Sequence, residues 1–80
     1  MTVTCLLFAR YAELFGGERV SLDLSPGATV ADAVGALRSK PGGDQLPERP
    51  MVAVNLEHAR MGQVLRVGDE LALLPPLAGG

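Results

Sequence analysis

The residues with the clearest chemical capacity are the last six, Pro75-Pro76-Leu77-Ala78-Gly79-Gly80. A carboxylate is a poor acyl donor until a nucleotide-consuming enzyme converts it to an acyl-adenylate, from which AMP leaves readily. A sulfur nucleophile then yields a C-terminal thiocarboxylate, and an amine yields an amide instead. A chain used this way needs no catalytic side chain of its own, because the reacting carbon of Gly80 is open to attack. Pro75 and Pro76 fix φ and favour an extended, polyproline-like start. Six residues in that state reach ~19 Å, at ~3.1 Å per residue. Leu77 and Ala78 can anchor such a tail, while Gly79 and Gly80 let backbone thread a channel too narrow for any Cβ. At average glycine usage of about 7 %, two terminal glycines arise by chance roughly once in 200. Gly16-Gly17 and Gly42-Gly43 stand in apparent turns, so the proline pair is what sets the last two glycines apart. The plain alternative is a frayed terminus.

Other reactive side chains have simpler explanations. Cys5 is the only cysteine, so no internal disulfide and no Cys-rich metal site can form. It shares a strand face with Val3 and Leu7 and reads as a buried hydrophobe, not a redox or persulfide centre. His58 has no Cys, Asp or second His nearby at ligand spacing, so no metal is expected. Asp69-Glu70 resembles an acid pair, but beside Gly68 it reads as turn chemistry. Arg10 could contact a partner or cap the end of a strand. No cofactor is expected on the chain itself.

Composition narrows the classes. Eighty residues make one domain, which buries only about 60 % of the surface its unfolded form exposes. Apolar residues at 48 % and charged residues at 20 % describe a globular chain. Seven basic and nine acidic side chains are scattered, for a net charge of -2. No basic patch for nucleic acid or an anionic membrane results. Met1-Thr2-Val3-Thr4-Cys5 lacks a basic n-region and a long apolar core, and no apolar run reaches bilayer length. A lone cysteine suits a reducing compartment, and a cytoplasmic protein is expected.

These residues must be positioned by local elements. Residues 2–9 read as a strand, rich in β-branched and apolar types. Residues 10–15 suit a short helical turn ended by Gly16-Gly17. In 18–24, Val20, Leu22 and Leu24 alternate with Arg19, Ser21 and Asp23, the pattern of a half-buried strand hairpinned onto the first. Ser25-Pro26-Gly27 breaks it. Thr29-Val30-Ala31-Asp32 is a capping box, and Val30, Ala33, Val34 and Leu37 follow at helical spacing over 30–39. Gly35 costs that helix ~1 kcal/mol relative to Ala. Residues 40–50, with three prolines and two glycines, predict an exposed loop. Residues 51–55 read as a short apolar strand, 56–67 carry no clear pattern, and Gly68-Asp69 marks a turn. Residues 70–74 read as the last strand, stopped by two prolines that cannot donate ladder hydrogen bonds.

The order strand, strand, helix, strand, strand matches an α+β fold of the β-grasp, or ubiquitin-like, kind. It is a mixed sheet with one main crossover helix on one face. Residues 1–74 form the domain and 75–80 the tail. One helix covers one side of a sheet, and the other side of a free sheet is normally polar. Here Leu6, Phe8, Ala72 and Leu74 are apolar on that second side. If the two strands pair, these four make a continuous apolar patch near the tail, and such patches mark interaction sites. Alternatively they are tucked under 56–67.

With these residues in view, the sequence resembles the small subunit of molybdopterin synthase (MoaD), within the MoaD/ThiS group of ubiquitin-like sulfur carriers. The resemblance runs through Leu6-Leu7-Phe8-Ala9-Arg10 with Glu13-Leu14, Thr29-Val30-Ala31-Asp32, Val52-Ala53-Val54-Asn55, Gly68-Asp69-Glu70 and Leu74-Pro75-Pro76-Leu77-Ala78-Gly79-Gly80. The Pro-Pro pair before Gly-Gly is the most specific element, since thiamine-pathway carriers share the ending but usually lack both prolines. The resemblance implies adenylation of Gly80 by an ATP-dependent, E1-like adenylyltransferase and its conversion, with a sulfur donor, to a thiocarboxylate. The tail would dock into the large synthase subunit and give sulfur to cyclic pyranopterin monophosphate. Two small and two large subunits would assemble, with the catalytic lysines on the large one. Phe8, Leu74, Pro75, Pro76, Leu77, Ala78 and Gly79 fall at partner-facing positions. His58 departs from the family pattern, where a bulky apolar or aromatic residue is usual, and loop 40–50 is a variable region.

Three other functions stay open. A protein modifier would join Gly80 to lysines, although this tail lacks an Arg-Gly-Gly ending and Lys40 is the sole lysine. A carrier for tRNA thiolation, thiamine or cysteine synthesis would use the same tail. A plain interaction domain would tolerate loss of Gly80.

Overall fold

The computed structural model describes residues 1–76. Strand β1 (Thr2–Leu7) leads through helix α1 (Ala9–Phe15) to β2 (Arg19–Asp23) and then to helix α2 (Val30–Arg38). A 3-10 turn (Gly43–Gln45) precedes β3 (Met51–Val54), β4 (Glu57–Ala59) and β5 (Glu70–Leu74). The strands form one sheet in the order β2-β1-β5-β3-β4. β1 and β5 run parallel at its centre, and every other pairing is antiparallel. This is the mixed β-grasp sheet expected from the sequence.

Side-chain alternation decides which face is core. Val3, Cys5 and Leu7 of β1, Leu22 of β2, Val52 and Val54 of β3, and Leu71 and Leu73 of β5 are buried. They pack with Val30, Ala33, Val34 and Leu37 of α2 in one apolar cluster. The capping box forms as expected. Thr29 N–H donates to Asp32 Oδ2 at 2.9 Å, and Asp32 N–H donates to Thr29 Oγ1 at 3.3 Å. Two of the helix's other first-turn amides are satisfied from outside it, Val30 N–H by the Gln63 carbonyl and Ala31 N–H by the Met61 carbonyl, each at 2.9 Å. A helix start leaves such donors without intrahelical partners, and the stretch between β4 and β5 supplies them.

The structure corrects two expectations. Loop 40–50 is not simply exposed: Leu46 is buried in the core, and Gly43 and Pro50 are buried as well. A Cβ on Gly43 would run into the Leu37 carbonyl and the Arg38 backbone, so the loop is packed against the end of α2. Arg38 Nε donates to the Leu46 carbonyl at 3.2 Å and holds the loop there. A domain this small has few apolar side chains to spare, and it draws one from the loop. The unpatterned stretch 56–67 in turn contributes a fifth strand, β4, hairpinned onto β3.

The hairpin turn is Asn55-Leu56, with φ of 49° and 72°. Both central residues of a type I′ turn need positive φ, which explains Asn55 and makes Leu56 an unfavourable occupant. Leu56 is 90 % exposed, so its side chain offsets little of the strain. Leu56→Gly is expected to raise the melting temperature by roughly 2–6 °C, given about 0.5–1 kcal/mol of relieved strain. A thermal melt that shifts downward would show that Leu56 makes a contact worth more than the strain.

Candidate functional site

The site is built where β5 ends. Leu74 is half-buried as the last strand residue, Pro75 is half-buried and Pro76 is exposed. Two prolines in succession withhold the amide donors a longer strand would need, so the ladder stops here. Pro76, Leu74, Met51, Pro50, Arg49 and Tyr11 border a cleft of about 280 Å³ at this exit. Leu77, Ala78, Gly79 and Gly80, named as site residues from the sequence, lie outside the described residues.

On the sheet face away from α2, the registers set out one continuous row. Leu6 pairs with Arg19 on one side and Ala72 on the other, Ala72 pairs with Ala53, and Ala53 pairs with His58. A second row lies toward the tail, where Leu74 pairs with Met51 and Phe8 follows β1 beside it. Phe8 is 45 % and Met51 51 % exposed. Phe8 keeps an extended backbone as the residue before α1, which leaves its ring on the same face as Leu6. At the far end of the face the residues turn polar, with Thr4 between Ser21 and Glu70. The apolar area is thus concentrated where the tail leaves.

The structure brings together Leu6, Phe8, Ala72 and Leu74 as the sequence expects. It adds exposed Met51 and, on the same face but itself buried, Ala53, both of which sequence reading missed. The signal was available: with Val52 and Val54 turned inward, alternation sends Met51 and Ala53 to the other face. Segment 56–67 does not roof this patch. Its Leu65 belongs to the core cluster beside α2, and only β4 reaches the open face, where exposed His58 ends the first row. A hollow of about 340 Å³ beside Phe8, between Leu6, Ala12, Glu18 and Arg19, continues the surface on the other side.

The remaining polar candidates play structural parts. Cys5 is fully buried, and burial pushes its thiol up to about 12, against a small opposing effect of Lys40. It therefore holds its proton at neutral pH and offers no thiolate. Asp69 accepts from Arg66 N–H at 2.8 Å and from Asn55 Nδ2 at 2.9 Å. The Arg66 amide first, then Asn55, hold its carboxyl below the usual carboxylate range. Asn55 Oδ1 in turn accepts from Glu70 N–H at 3.0 Å. This set ties the β3–β4 turn to the start of β5 and is turn chemistry, not an acid–base pair. Arg10 is exposed on α1. Among the described residues no group of three or more His, Cys, Asp or Glu could hold a metal ion, and no helix is long and apolar enough to cross a membrane.

The sequence and the fold both match known proteins. Residues 5–80 match the ThiS family. Small archaeal modifier protein 1 of Haloferax volcanii is 41 % identical over 83 aligned positions, covering 92 % of this chain and 95 % of the relative. Its crystal structure aligns over the whole of both chains with a TM-score of 0.85 at 36 % identity. The molybdopterin synthase sulfur carrier subunit of Chlamydomonas reinhardtii is 31 % identical, with full coverage of both chains. A chain in the Amycolatopsis orientalis BexX/CysO complex is 28 % identical, with a TM-score of 0.70 over 98 % of this chain and 99 % of that one.

Proposed function

Since the chain belongs to the ThiS family of ubiquitin-like sulfur carriers, we propose that it is the sulfur-carrying small subunit of a molybdopterin synthase, with Gly80 as its working group. The observation that carries the reading is the placement of an open apolar face directly beside the exit of a Pro-Pro…Gly-Gly tail. The face docks a partner and the tail delivers the reacting carbon into it. An E1-like adenylyltransferase joins the Gly80 carboxylate to AMP from ATP, releasing pyrophosphate. A sulfide-level sulfur nucleophile from a donor then displaces AMP and leaves the thiocarboxylate. In the large synthase subunit that sulfur passes to cyclic pyranopterin monophosphate, two small subunits serving two large ones. Phe8 and Leu74 contact the partner, and Pro75, Pro76, Leu77, Ala78 and Gly79 thread its channel. His58 sits at the β4 end of the apolar row and meets the partner's rim.

The likeness to the molybdopterin synthase carrier of Chlamydomonas over the full chain supports this pathway. The stronger likeness to an archaeal modifier protein favours a second reading, in which the same adenylate is captured by a lysine amine. The two share the activation step and part at the nucleophile.

Mass spectrometry separates them. After incubation with an activating enzyme, ATP and a sulfur source, the C-terminal peptide is expected to gain the mass of sulfur for oxygen. That gain is nearly isobaric with oxidation of Met1, Met51, Met61 or Cys5, so it must be mapped to Gly80. Amide conjugates without any thiocarboxylate would move the assignment to the modifier. Neither product, with an enzyme competent on another carrier, would remove the tail chemistry altogether.

A further inference from the structure

Among the described residues the sheet has an unpaired edge at β2, and the residues on it are complementary to themselves. Leu24 N–H donates to the Met1 carbonyl at 2.7 Å and Leu7 N–H donates to the Glu18 carbonyl at 2.8 Å. With the antiparallel register Val3 to Leu22 and Cys5 to Val20, the residues of β2 that bond toward β1 are therefore Val20 and Leu22. Backbone groups alternate in direction along an antiparallel strand, so the N–H and C=O of Arg19, Ser21 and Asp23 point outward. All three residues are exposed.

We propose that β2 pairs antiparallel with β2 of a second copy of this chain, about a two-fold axis through Ser21. In that register Ser21 faces Ser21, and Arg19 of each copy faces Asp23 of the other. Each of these is a position where two residues exchange both backbone hydrogen bonds, and opposite charges directly across strands add to the pairing. On the α2 side, half-buried Val20 meets Leu22 of the second copy and carries the core across the seam. A slip of one residue would turn the apolar side chains of β2 to the wrong face. A slip of two would set Arg19 opposite Ser21 and break both charge pairs. The sequence Arg19-Val20-Ser21-Leu22-Asp23 thus selects one register. The Met1 amino group lies 3.4 Å from Asp23 Oδ1, yet the Asp23 side chain is 90 % exposed and its other oxygen is free to reach Arg19.

The axis stands perpendicular to the sheet, so both α2 helices lie on one side and both open faces on the other. The parallel β1 and β5 reverse direction between copies, and the two tails leave at opposite ends. Pairing therefore leaves each apolar face, and the end of each β5, uncovered. It holds whichever chemistry Gly80 carries, so its test is independent of that reading.

Sedimentation equilibrium of the full chain from ~10 µM to ~1 mM tests it, because a two-strand seam buries well below the ~1,600 Å² of standard interfaces and dissociates on the order of 100 µM. The wild type is expected to pass from monomer to dimer in this range. Arg19→Asp or Asp23→Arg puts like charges together twice and weakens the dimer roughly tenfold, while the double exchange R19D/D23R restores it. Circular dichroism confirms that each variant is folded. A wild type that stays monomeric throughout overturns the proposal. So does a dimer indifferent to Arg19→Asp, or a double exchange that fails to rescue.

Discussion

Deleting Gly80 is expected to reduce sulfur transfer to the uncatalysed background while leaving the melting temperature within about 1 °C of the intact chain. The two halves of that expectation rest on different parts of the molecule. Stability resides in the cluster between the sheet and α2, whose last member among the described residues is Leu73. Strand β5 ends at Leu74, six residues before the deleted one by the numbering. Transfer, by contrast, requires the carboxyl carbon to arrive at a reacting partner in a defined place. Shortening the chain by one residue withdraws that carbon by ~3.3 Å, and a misplacement of only ~1 Å can cost about a hundredfold in rate. Adding one alanine after Gly80 has the mirror effect, pushing the carboxylate too far and placing a Cβ where only glycine backbone fits. Transfer assays on both variants, with melts alongside, check the pair of claims. Unchanged transfer by either variant would sink the mechanism, and a lowered melting temperature would mean that the tail stabilises the domain.

Much of the domain could be read directly from its residues, and the unread parts share a physical cause. Helix α2 was legible because Thr29 and Asp32 signal its start locally and four apolar residues repeat at its period. β2 was legible through strict alternation, and β5 through the prolines that end it. β4 was hidden because its turn uses Asn55-Leu56, and leucine stands where glycine would announce a type I′ turn. Leu46 sits alone between Gln45 and Pro47, without periodicity, and is buried only because the end of α2 leaves room for it. The site divides in the same way. Placing Phe8 and Leu74 on one face needed only period two along each strand. Including Met51 and Ala53 needed the order β1-β5-β3, which joins residues far apart in sequence. The chemistry proposed for the tail lies at the opposite extreme: residue types alone suggest it, and residues 77–80 lie outside the described residues.

Phe8→Asp offers the sharpest separation of docking from folding. Phe8 is 45 % exposed and lies outside the core cluster, so its replacement forfeits only part of the ~2 kcal/mol a fully buried ring contributes. It is also the residue that precedes α1, with extended backbone and no side-chain hydrogen bond to the helix. Aspartate is favoured at that position, where its carboxylate can accept from first-turn amides and meets the positive end of the helix. These effects oppose one another, and net stability is expected to change by less than about 1 kcal/mol. Binding behaves differently. If the open face docks the partner, the ring passes from 45 % exposed to fully buried beside Leu6 and Leu74, and a carboxylate there would be desolvated without a partner. Central aromatic anchors of this kind cost about 2–4 kcal/mol when lost, roughly 30- to 1,000-fold in Kd. Calorimetric titration of the large synthase subunit with Phe8→Asp should register that loss. Thr4→Asp, on the polar end of the same face, should leave affinity near the wild-type value. Phe8→Leu should keep most of the affinity, since it preserves an apolar side chain. An unchanged Kd for Phe8→Asp in a folded domain would show that the open face is not the interface, and would leave the tail alone to account for recognition.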